Sequence, residues 1–219
     1  MNEQQQIRNN RLVLLTIAGI PLTMILAASW LWYFVVEGDL DLVGTFGTAN
    51  RGQLVQPPRQ LDDYLMRDDQ EAPVKYSDLP RKWSLVVANQ GPACGPVCER
   101  SLYVTRQIHI AMGKEFNRID RLYLSEQTPA ATRLEVSELS DQHPAPAAMA
   151  ELLATEHRGM KALTLAAGAY QELFPEQQRD ASTWYLVDPA GWVMMSYNSG
   201  IHYKDVISDL KFLLKNSSE

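Results

Sequence analysis

An uninterrupted apolar segment near the N-terminus constrains this chain more than any other feature of its sequence. No charged residue occurs from Leu12 to Val36, and at a helical rise of about 1.5 Å per residue a segment of this length spans roughly 37 Å. That length exceeds the hydrocarbon core of a bilayer, which is about 30 Å thick. We therefore predict a single transmembrane helix over residues 12–36, which makes the lipid bilayer an expected partner.

The charges that flank this segment predict its direction across the membrane. Basic residues precede it and acidic residues follow it: Arg8 and Arg11 before, Glu37, Asp39 and Asp41 after. Because positively charged flanks stay in the cytoplasm, we expect residues 1–11 to be cytoplasmic and the rest of the chain to be exported. We predict the inner membrane of a bacterium, with the exported part in the periplasm.

A cleaved signal peptide is the alternative interpretation of the same segment. Small residues at Ala27-Ala28-Ser29 would suit a cleavage site, but the apolar run continues past them to Val36 without a polar break. A signal peptide has a shorter apolar region, so an uncleaved anchor is favoured.

The exported part is the size of one ordinary domain. About 180 of the 219 residues follow the apolar segment, enough for one hydrophobic core. We divide them into a membrane-proximal segment with a hairpin, residues 37–80, and a folded domain, residues 81–219. The chain has 20 Lys+Arg against 26 Asp+Glu, for a net charge of −6, and no basic block. Nucleic acid is therefore not an expected partner.

Strand and helix patterns alternate along the exported part. Apolar, β-branched runs predict strands at 82–88, 119–125, 162–165, 183–188 and 192–197. Helical spacing predicts helices from Cys98 to Gly113, at 145–157 and at 203–215. A shorter strand at 53–55 is expected to stop at Pro57-Pro58, because proline interrupts a ladder of hydrogen bonds. Alternation of this kind is typical of an α/β fold with a partly parallel sheet.

The two cysteines lie where a predicted strand gives way to a predicted helix. Cys94 and Cys98 are four positions apart, so they share one face of a helix. Amide groups of the first turn lower the pKa of thiols there, which favours redox exchange or binding of a soft ion such as Cu(I). In an oxidising compartment the pair forms a disulfide unless it is reduced or metal-bound. A purely structural disulfide is the alternative.

Two motifs resemble a known family. Cys94-Gly95-Pro96-Val97-Cys98 follows a strand, and Tyr185-Leu186-Val187-Asp188-Pro189-Ala190-Gly191 precedes a hairpin and the last helix. The chain thereby resembles the Sco/SenC family, membrane-anchored thioredoxin-fold proteins that assist copper-centre assembly in cytochrome c oxidase. The resemblance implies a thioredoxin-like α/β fold and a redox or copper-holding role for Cys94 and Cys98. It also implies a membrane-embedded oxidase subunit or assembly factor as the partner.

The sequence departs from this family at the third copper ligand. The family has a histidine shortly before the tyrosine of the last central strand, and this chain has Asp180 there. A carboxylate is a hard ligand that suits Cu(I) poorly. His202, just after the hairpin, is the other candidate for a third ligand. The family's usual proline after the second cysteine is replaced by Glu99.

Because of this departure, copper is a candidate cofactor and two alternatives to copper-centre assembly remain open. One is a metal-independent thiol-disulfide oxidoreductase of the periplasm, which is the reading under which the protein is an enzyme. The other is a non-catalytic assembly protein with a degenerate site. We expect the remaining histidines to lie away from the site: His109 as a packing or surface residue, and His143 and His157 as solvated residues.

Overall fold

The computed structural model describes residues 3–36 and 50–217, and the chain divides into two compact units, Met1–Ala49 and Asn50–Glu219. The first unit contains helix α1, Glu3–Val36. Within the described residues, Arg11–Tyr33 is the one helical stretch that is long and apolar enough to cross a membrane. This finding is consistent with a single-pass anchor. The acidic residues expected to follow the anchor, Glu37, Asp39 and Asp41, lie outside the described residues.

The second unit is built on a mixed β-sheet. Its strands are β1 (Gln53–Gln60), β2 (Met66–Arg67), β3 (Pro73–Val74), β4 (Trp83–Asn89), β5 (Ala93–Cys94), β6 (Ile119–Ser125), β7 (Arg133–Leu134), β8 (Lys161–Leu165), β9 (Trp184–Val187) and β10 (Trp192–Tyr197). Eight of them form one sheet in the order β1-β10-β9-β4-β6-β8-β2-β3, and β5 and β7 form a separate pair. Strands β4, β6 and β8 are parallel, whereas β9 is antiparallel to β4.

Helices cover the sheet: α2 (Pro96–Ala111), α3 (Met149–Thr155), α4 (Ala167–Leu173) and α5 (Tyr203–Asn216). All seven residues of β4 are buried, as expected for a parallel strand with both faces covered. Since alternate residues of a strand point to opposite faces, Leu85 and Val87 belong to one apolar cluster, and Val86 and Ala88 to another. The first cluster also contains Cys94.

Most of the predicted elements are present, with shifted ends. The helix predicted at 145–157 begins only at Met149, because Pro144 and Pro146 favour an extended chain before it. Strand β1 does not stop at Pro57-Pro58 but continues to Gln60. It is an edge strand with a register shift between Leu54 and Arg59, and edge strands tolerate proline because their outward amides need no partner.

A buried carboxylate binds the first residues of the second unit. Asp209 of α5 accepts hydrogen bonds from the amides of Arg51 and Gly52, at 2.9 and 3.0 Å, and from the hydroxyl of Tyr197, at 3.2 Å. Strands β1, β2 and β3 then join the same sheet as the later strands. The domain boundary that we placed at residue 81 stays a prediction.

Candidate functional site

The cysteines lie at the turn between the central strand and the helix that packs on it. After β4 the chain turns at Gly91, whose φ of +84° favours glycine. It then forms the short strand β5, which ends at Cys94. Pro96 is the first residue of α2, a position where the missing amide hydrogen has no cost and the fixed φ suits the helix. Cys98 therefore lies in the first turn of α2.

The two sulfurs are joined in a disulfide. The Sγ atoms of Cys94 and Cys98 are 2.00 Å apart, and their Cα atoms are 5.2 Å apart. Cys94 is completely buried, whereas Cys98 is partly exposed. The structure therefore shows the oxidised pair, in which one residue is buried and the other is partly exposed.

A segment that we call the clamp, residues 133–141, packs against Cys94. In the parallel pair of β5 and β7, Cys94 is aligned with Leu134, and the amide of Glu135 donates a hydrogen bond of 2.9 Å to the carbonyl of Cys94. Leu139 belongs to the same buried apolar cluster as Cys94. The clamp therefore satisfies the backbone of Cys94 and adds to the apolar surroundings of its side chain.

Two side chains of α2 hold the far end of the clamp. Glu99 is only 5% exposed, and its carboxylate accepts hydrogen bonds from the amide of Ser140, at 3.0 Å, and from its hydroxyl, at 2.6 Å. Two turns further along, the guanidinium of Arg106 donates to Asp141 at 2.9 Å. Burial opposes ionisation of Asp141, but the hydrogen bonds from Arg106 and His143 outweigh it and lower the pKa of this carboxyl.

Asp180, the first candidate for a third metal ligand, is engaged within its own loop. Its carboxylate accepts hydrogen bonds from the amide and the hydroxyl of Ser182, at 2.9 and 2.7 Å. These bonds lower the pKa of Asp180, because they favour its charged form. The backbone carbonyl of Asp180 in turn accepts from Thr183. The loop is thus held mainly by local contacts, with an additional contact of 3.1 Å between Ser182 and Ser199.

His202, the second candidate, caps the last helix. It precedes α5, and its Nδ1 accepts a hydrogen bond of 3.3 Å from the amide of Lys204. Its exposed ring lines a groove of about 580 Å³ together with Pro96 and Val97 from the cysteine turn and Ser182 from the Asp180 loop. The structure therefore brings the cysteine turn, the Asp180 loop and His202 to one groove.

With its two sulfurs bonded to each other, this arrangement has no ready site for a copper ion. Within the described ranges, 3–36 and 50–217, no group of three or more His, Cys, Asp or Glu residues is placed to hold a metal. The sulfurs of Cys94 and Cys98 are bonded to each other, and Asp180 and His202 are engaged in the hydrogen bonds described above. The metal-binding role that we predicted for these four residues stays a prediction.

The prediction for His157 is wrong. This residue is only 2% exposed, and its Nδ1 lies 3.1 Å from a guanidinium nitrogen of Arg121. Arginine only donates, so Nδ1 accepts and the ring is neutral with its proton on Nε2. Burial, with the positive charges of Arg121 and Arg106, lowers the pKa of His157 to about 3. No pattern of residues around His157 signals this contact, because Arg121 comes from a strand distant in the chain.

The other two histidines lie where we expected them. His109 is buried and stacks on Phe116, with ring centroids 3.8 Å apart. His143 is exposed and lies 3.3 Å from Asp141. The contact between Glu99 and Ser140 was not predicted, since neither residue type by itself signals a buried pair.

A parallel β4-β6-β8 core, the antiparallel β9-β10 hairpin and a cysteine pair at the start of a covering helix define a thioredoxin-like protein. The chain matches the model of a family described as transmembrane-like, thioredoxin-like, C-terminal domain, over residues 83–143 and 131–217. These two segments together cover more than half of the chain, and the chain belongs to this family. No curated protein sequence matches it.

Solved structures of Sco proteins share the fold. Yeast Sco1 with copper bound is 16% identical, with 78% of this chain and 97% of that chain covered and a TM-score of 0.51. Yeast Sco1 is 15% identical, with 71% and 94% covered and a TM-score of 0.52. Apo Sco1 from Thermus thermophilus is 17% identical, with 76% and 98% covered and a TM-score of 0.51. The predicted thioredoxin-like α/β fold and the resemblance to Sco proteins in fold are confirmed.

Proposed function

We propose that this protein is a membrane-anchored, thioredoxin-like accessory factor that assists cytochrome c oxidase assembly by thiol-disulfide exchange through Cys94 and Cys98. The observation that carries the proposal is the disulfide at the junction of β5 and α2, in which Cys98 is a partly exposed residue. A sulfur in the first turn of a helix is a good leaving and attacking group, because the amides there stabilise its thiolate. A disulfide sealed inside the protein would lack this access.

The apolar helix favours the proposal that the client is a membrane protein. With residues 12–36 in the bilayer and the second unit in the periplasm, the cysteine pair is restricted to the membrane surface. A tether of this kind raises the effective concentration of the pair for a membrane-embedded partner without any new contact. An oxidase subunit that must present reduced cysteines before it receives copper is a client of this class.

The site favours redox exchange over copper delivery. The described residues provide two sulfurs and no third ligand beside them, whereas disulfide exchange needs only the sulfurs. If the reduced pair holds copper, Cys94 and Cys98 would supply soft thiolate ligands for Cu(I). Titration of the reduced protein with Cu(I) tests this branch, and we expect no stoichiometric tight complex. A tight one-to-one complex would restore the copper-handling role.

Complementation tests the function as a whole. Oxidase activity and oxidase copper content are measured in membranes of cells that lack the protein, and of the same cells that express wild type or the double variant Cys94→Ser, Cys98→Ser. We expect wild type to restore both quantities and the double variant to restore neither. Asp180→Asn is the matched control at the same groove and is expected to restore both.

A metal-independent oxidoreductase with a different periplasmic client is the second candidate, favoured by the missing third ligand. A mixed disulfide trapped on a single-cysteine variant identifies the client in cells. An oxidase subunit or assembly factor in that complex supports oxidase assembly, whereas an unrelated protein supports the second candidate. Full complementation of the oxidase by the double serine variant would contradict a cysteine role in oxidase assembly. If no mixed disulfide is trapped either, the second candidate is contradicted as well, which leaves a non-catalytic assembly protein.

A further inference from the structure

The two sulfurs of the disulfide are unequal targets for an incoming thiolate. Disulfide exchange requires that the attacking sulfur approach one of the two bonded sulfurs directly. Cys94 has no exposed surface, whereas Cys98 is partly exposed. In the conformation described, a client cannot reach the sulfur of Cys94, and Cys98 is the partly exposed member of the pair.

The burial of Cys94 is reinforced by the clamp. The amide of Glu135 donates to the Cys94 carbonyl, and Leu139 packs in the apolar cluster that contains Cys94. Strands β5 and β7 are only two residues long each, so their pairing alone holds the clamp weakly. The clamp needs further attachment to stay closed.

Glu99, directly after Cys98 in the chain, supplies one such attachment, beside the bond from Arg106 to Asp141. Its two carboxylate oxygens each accept one hydrogen bond from Ser140, from the amide and from the hydroxyl. Hydrogen bonds to a charged acceptor are about twice as strong as neutral ones. Loss of this carboxylate would also leave the Ser140 amide without its partner, which favours opening of the clamp.

We infer that Glu99 is a positioning residue that makes the cysteine pair directional: it holds the clamp over Cys94 through Ser140, so that exchange begins at Cys98. This inference rests on the proposed function. A client thiolate attacks the Sγ of Cys98, the client–Cys98 bond forms as the Cys94–Cys98 bond breaks, and the electron pair leaves on the Sγ of Cys94. A second client thiolate then displaces Cys98, which oxidises the client dithiol by two electrons and reduces the pair by two.

The reverse reaction uses the same order of residues. With the pair reduced and a client disulfide as the oxidant, the thiolate of Cys98 attacks the client and releases one client thiolate. The sulfur of Cys94 then attacks Cys98 within the mixed disulfide, and the second client thiolate leaves. Cys94 is the resolving residue in this direction, and its burial protects it from attack by other thiols.

Single-cysteine variants of the full-length chain in detergent micelles test the direction. Cys94→Ser leaves only Cys98, and Cys98→Ser leaves only Cys94. Each is mixed with excess 5,5′-dithiobis(2-nitrobenzoate), and the release of nitrothiobenzoate is followed across pH to the plateau where the thiolate is fully formed. At that plateau, differences in thiol pKa no longer contribute. We expect Cys98 to react about tenfold or more faster than Cys94 because of its exposure.

Variants of Glu99 test the positioning role. In the Cys98→Ser background, Glu99→Ala is expected to raise the plateau rate of Cys94 about tenfold as the clamp opens. Glu99→Gln keeps an acceptor oxygen for Ser140 and is expected to raise it far less. Glu138→Ala removes an exposed carboxylate of the same clamp and is the matched control, with no change expected. Ser140→Ala loses only the hydroxyl bond to Glu99. It is expected to raise the plateau rate of Cys94 by a smaller factor, and it serves as the test if Glu99→Ala fails to fold.

Equal plateau rates for the two single-cysteine variants would overturn the inference. So would a slow Cys94 in a folded Glu99→Ala or Ser140→Ala variant. These outcomes differ from failure of the proposed function, which is read from complementation. If the two plateau rates differ but the double serine variant still supports the oxidase, the order of attack stands and the proposed function fails. If the two rates are equal but the oxidase needs the cysteines, the proposed function stands and the order of attack fails.

Discussion

The turn that holds Cys94 and Cys98 and the loop that holds Asp180 border the same groove, but different contacts fix them. The cysteine turn is held by partners far away in the chain: the clamp reaches it through Glu135 and through Ser140. The Asp180 loop is held mainly by near neighbours, Ser182 and Thr183, and beyond these by Ser199, which pairs with Ser182 at 3.1 Å.

This difference indicates that the geometry of the cysteine turn depends on the rest of the fold more than that of the Asp180 loop does. A turn fixed by distant partners loses its geometry when those partners move, and it can therefore be tuned from a distance. A loop closed on itself keeps its shape in most surroundings. We expect substitutions around the clamp to change stability strongly and substitutions in the Asp180 loop to change it little.

Arg106 provides the largest expected effect on the clamp side. Its guanidinium is 14% exposed and pairs with Asp141 and Glu156, at 2.9 Å each. Arg106→Ala leaves both carboxylates without this cation, and we expect a loss of about 2–3 kcal/mol in the free energy of unfolding. Urea denaturation followed by circular dichroism measures this loss.

Arg133→Ala is the matched control for Arg106→Ala. Arg133 belongs to the clamp and pairs with Glu135, but both side chains are more than half exposed, at 65% and 53%. An exposed pair contributes little, so a change within about 0.5 kcal/mol is expected. A loss as large as that of Arg106→Ala would mean that any charge on the clamp matters, whether buried or not.

His157 is expected to make the stability of the folded protein decrease in acid. The pKa of this residue is about 3 in the folded protein, because of burial and of Arg121 and Arg106, against about 6.5 in the unfolded chain. Below pH 6.5 the unfolded chain binds the proton and the folded protein does not, so stability falls as the pH falls towards 3. We expect a loss of about 2 kcal/mol between pH 6.5 and pH 5, measured by denaturation at each pH.

Two histidine variants isolate this contribution. His157→Gln keeps an acceptor for Arg121 and does not titrate, so it should flatten the dependence of stability on pH. His143→Gln changes an exposed histidine near the same clamp and should leave the dependence unchanged. An unchanged slope in His157→Gln would assign the acid sensitivity to other groups.

The same contrast explains what the sequence could predict. Strands β4 and β6 and helix α5 follow from local apolar patterns, and so does the position of the cysteines between a strand and a helix. The clamp does not follow, because β5 and β7 are too short to show a periodic pattern. The pairing of Glu99 with Ser140, 41 positions away, also has no signal in the order of residues.

The burial of His157 could not be predicted for a similar reason. His157 follows a short helix in a polar stretch of sequence, which favours a solvated residue, and Arg121 lies within a strand. Only the packing of α3 on the sheet brings the two together and excludes water from them. Asp180, in contrast, makes most of its contacts with residues close to it in the chain, Ser182 and Thr183.

Asp180→Ala provides the smallest expected effect and completes the comparison. The substitution removes two hydrogen bonds to Ser182 from a partly exposed loop, and solvent replaces them, so we expect a loss of less than about 1 kcal/mol. The rate at which Cys98 reacts with 5,5′-dithiobis(2-nitrobenzoate) should stay the same, because no contact of Asp180 reaches the cysteine turn. Ser182→Ala removes the hydroxyl bond to Asp180 and the contacts of that hydroxyl with Ser199, and it should also leave the Cys98 rate unchanged. A changed Cys98 rate in either variant would mean that the Asp180 loop acts on the cysteines across the groove, and that its local closure does not isolate it.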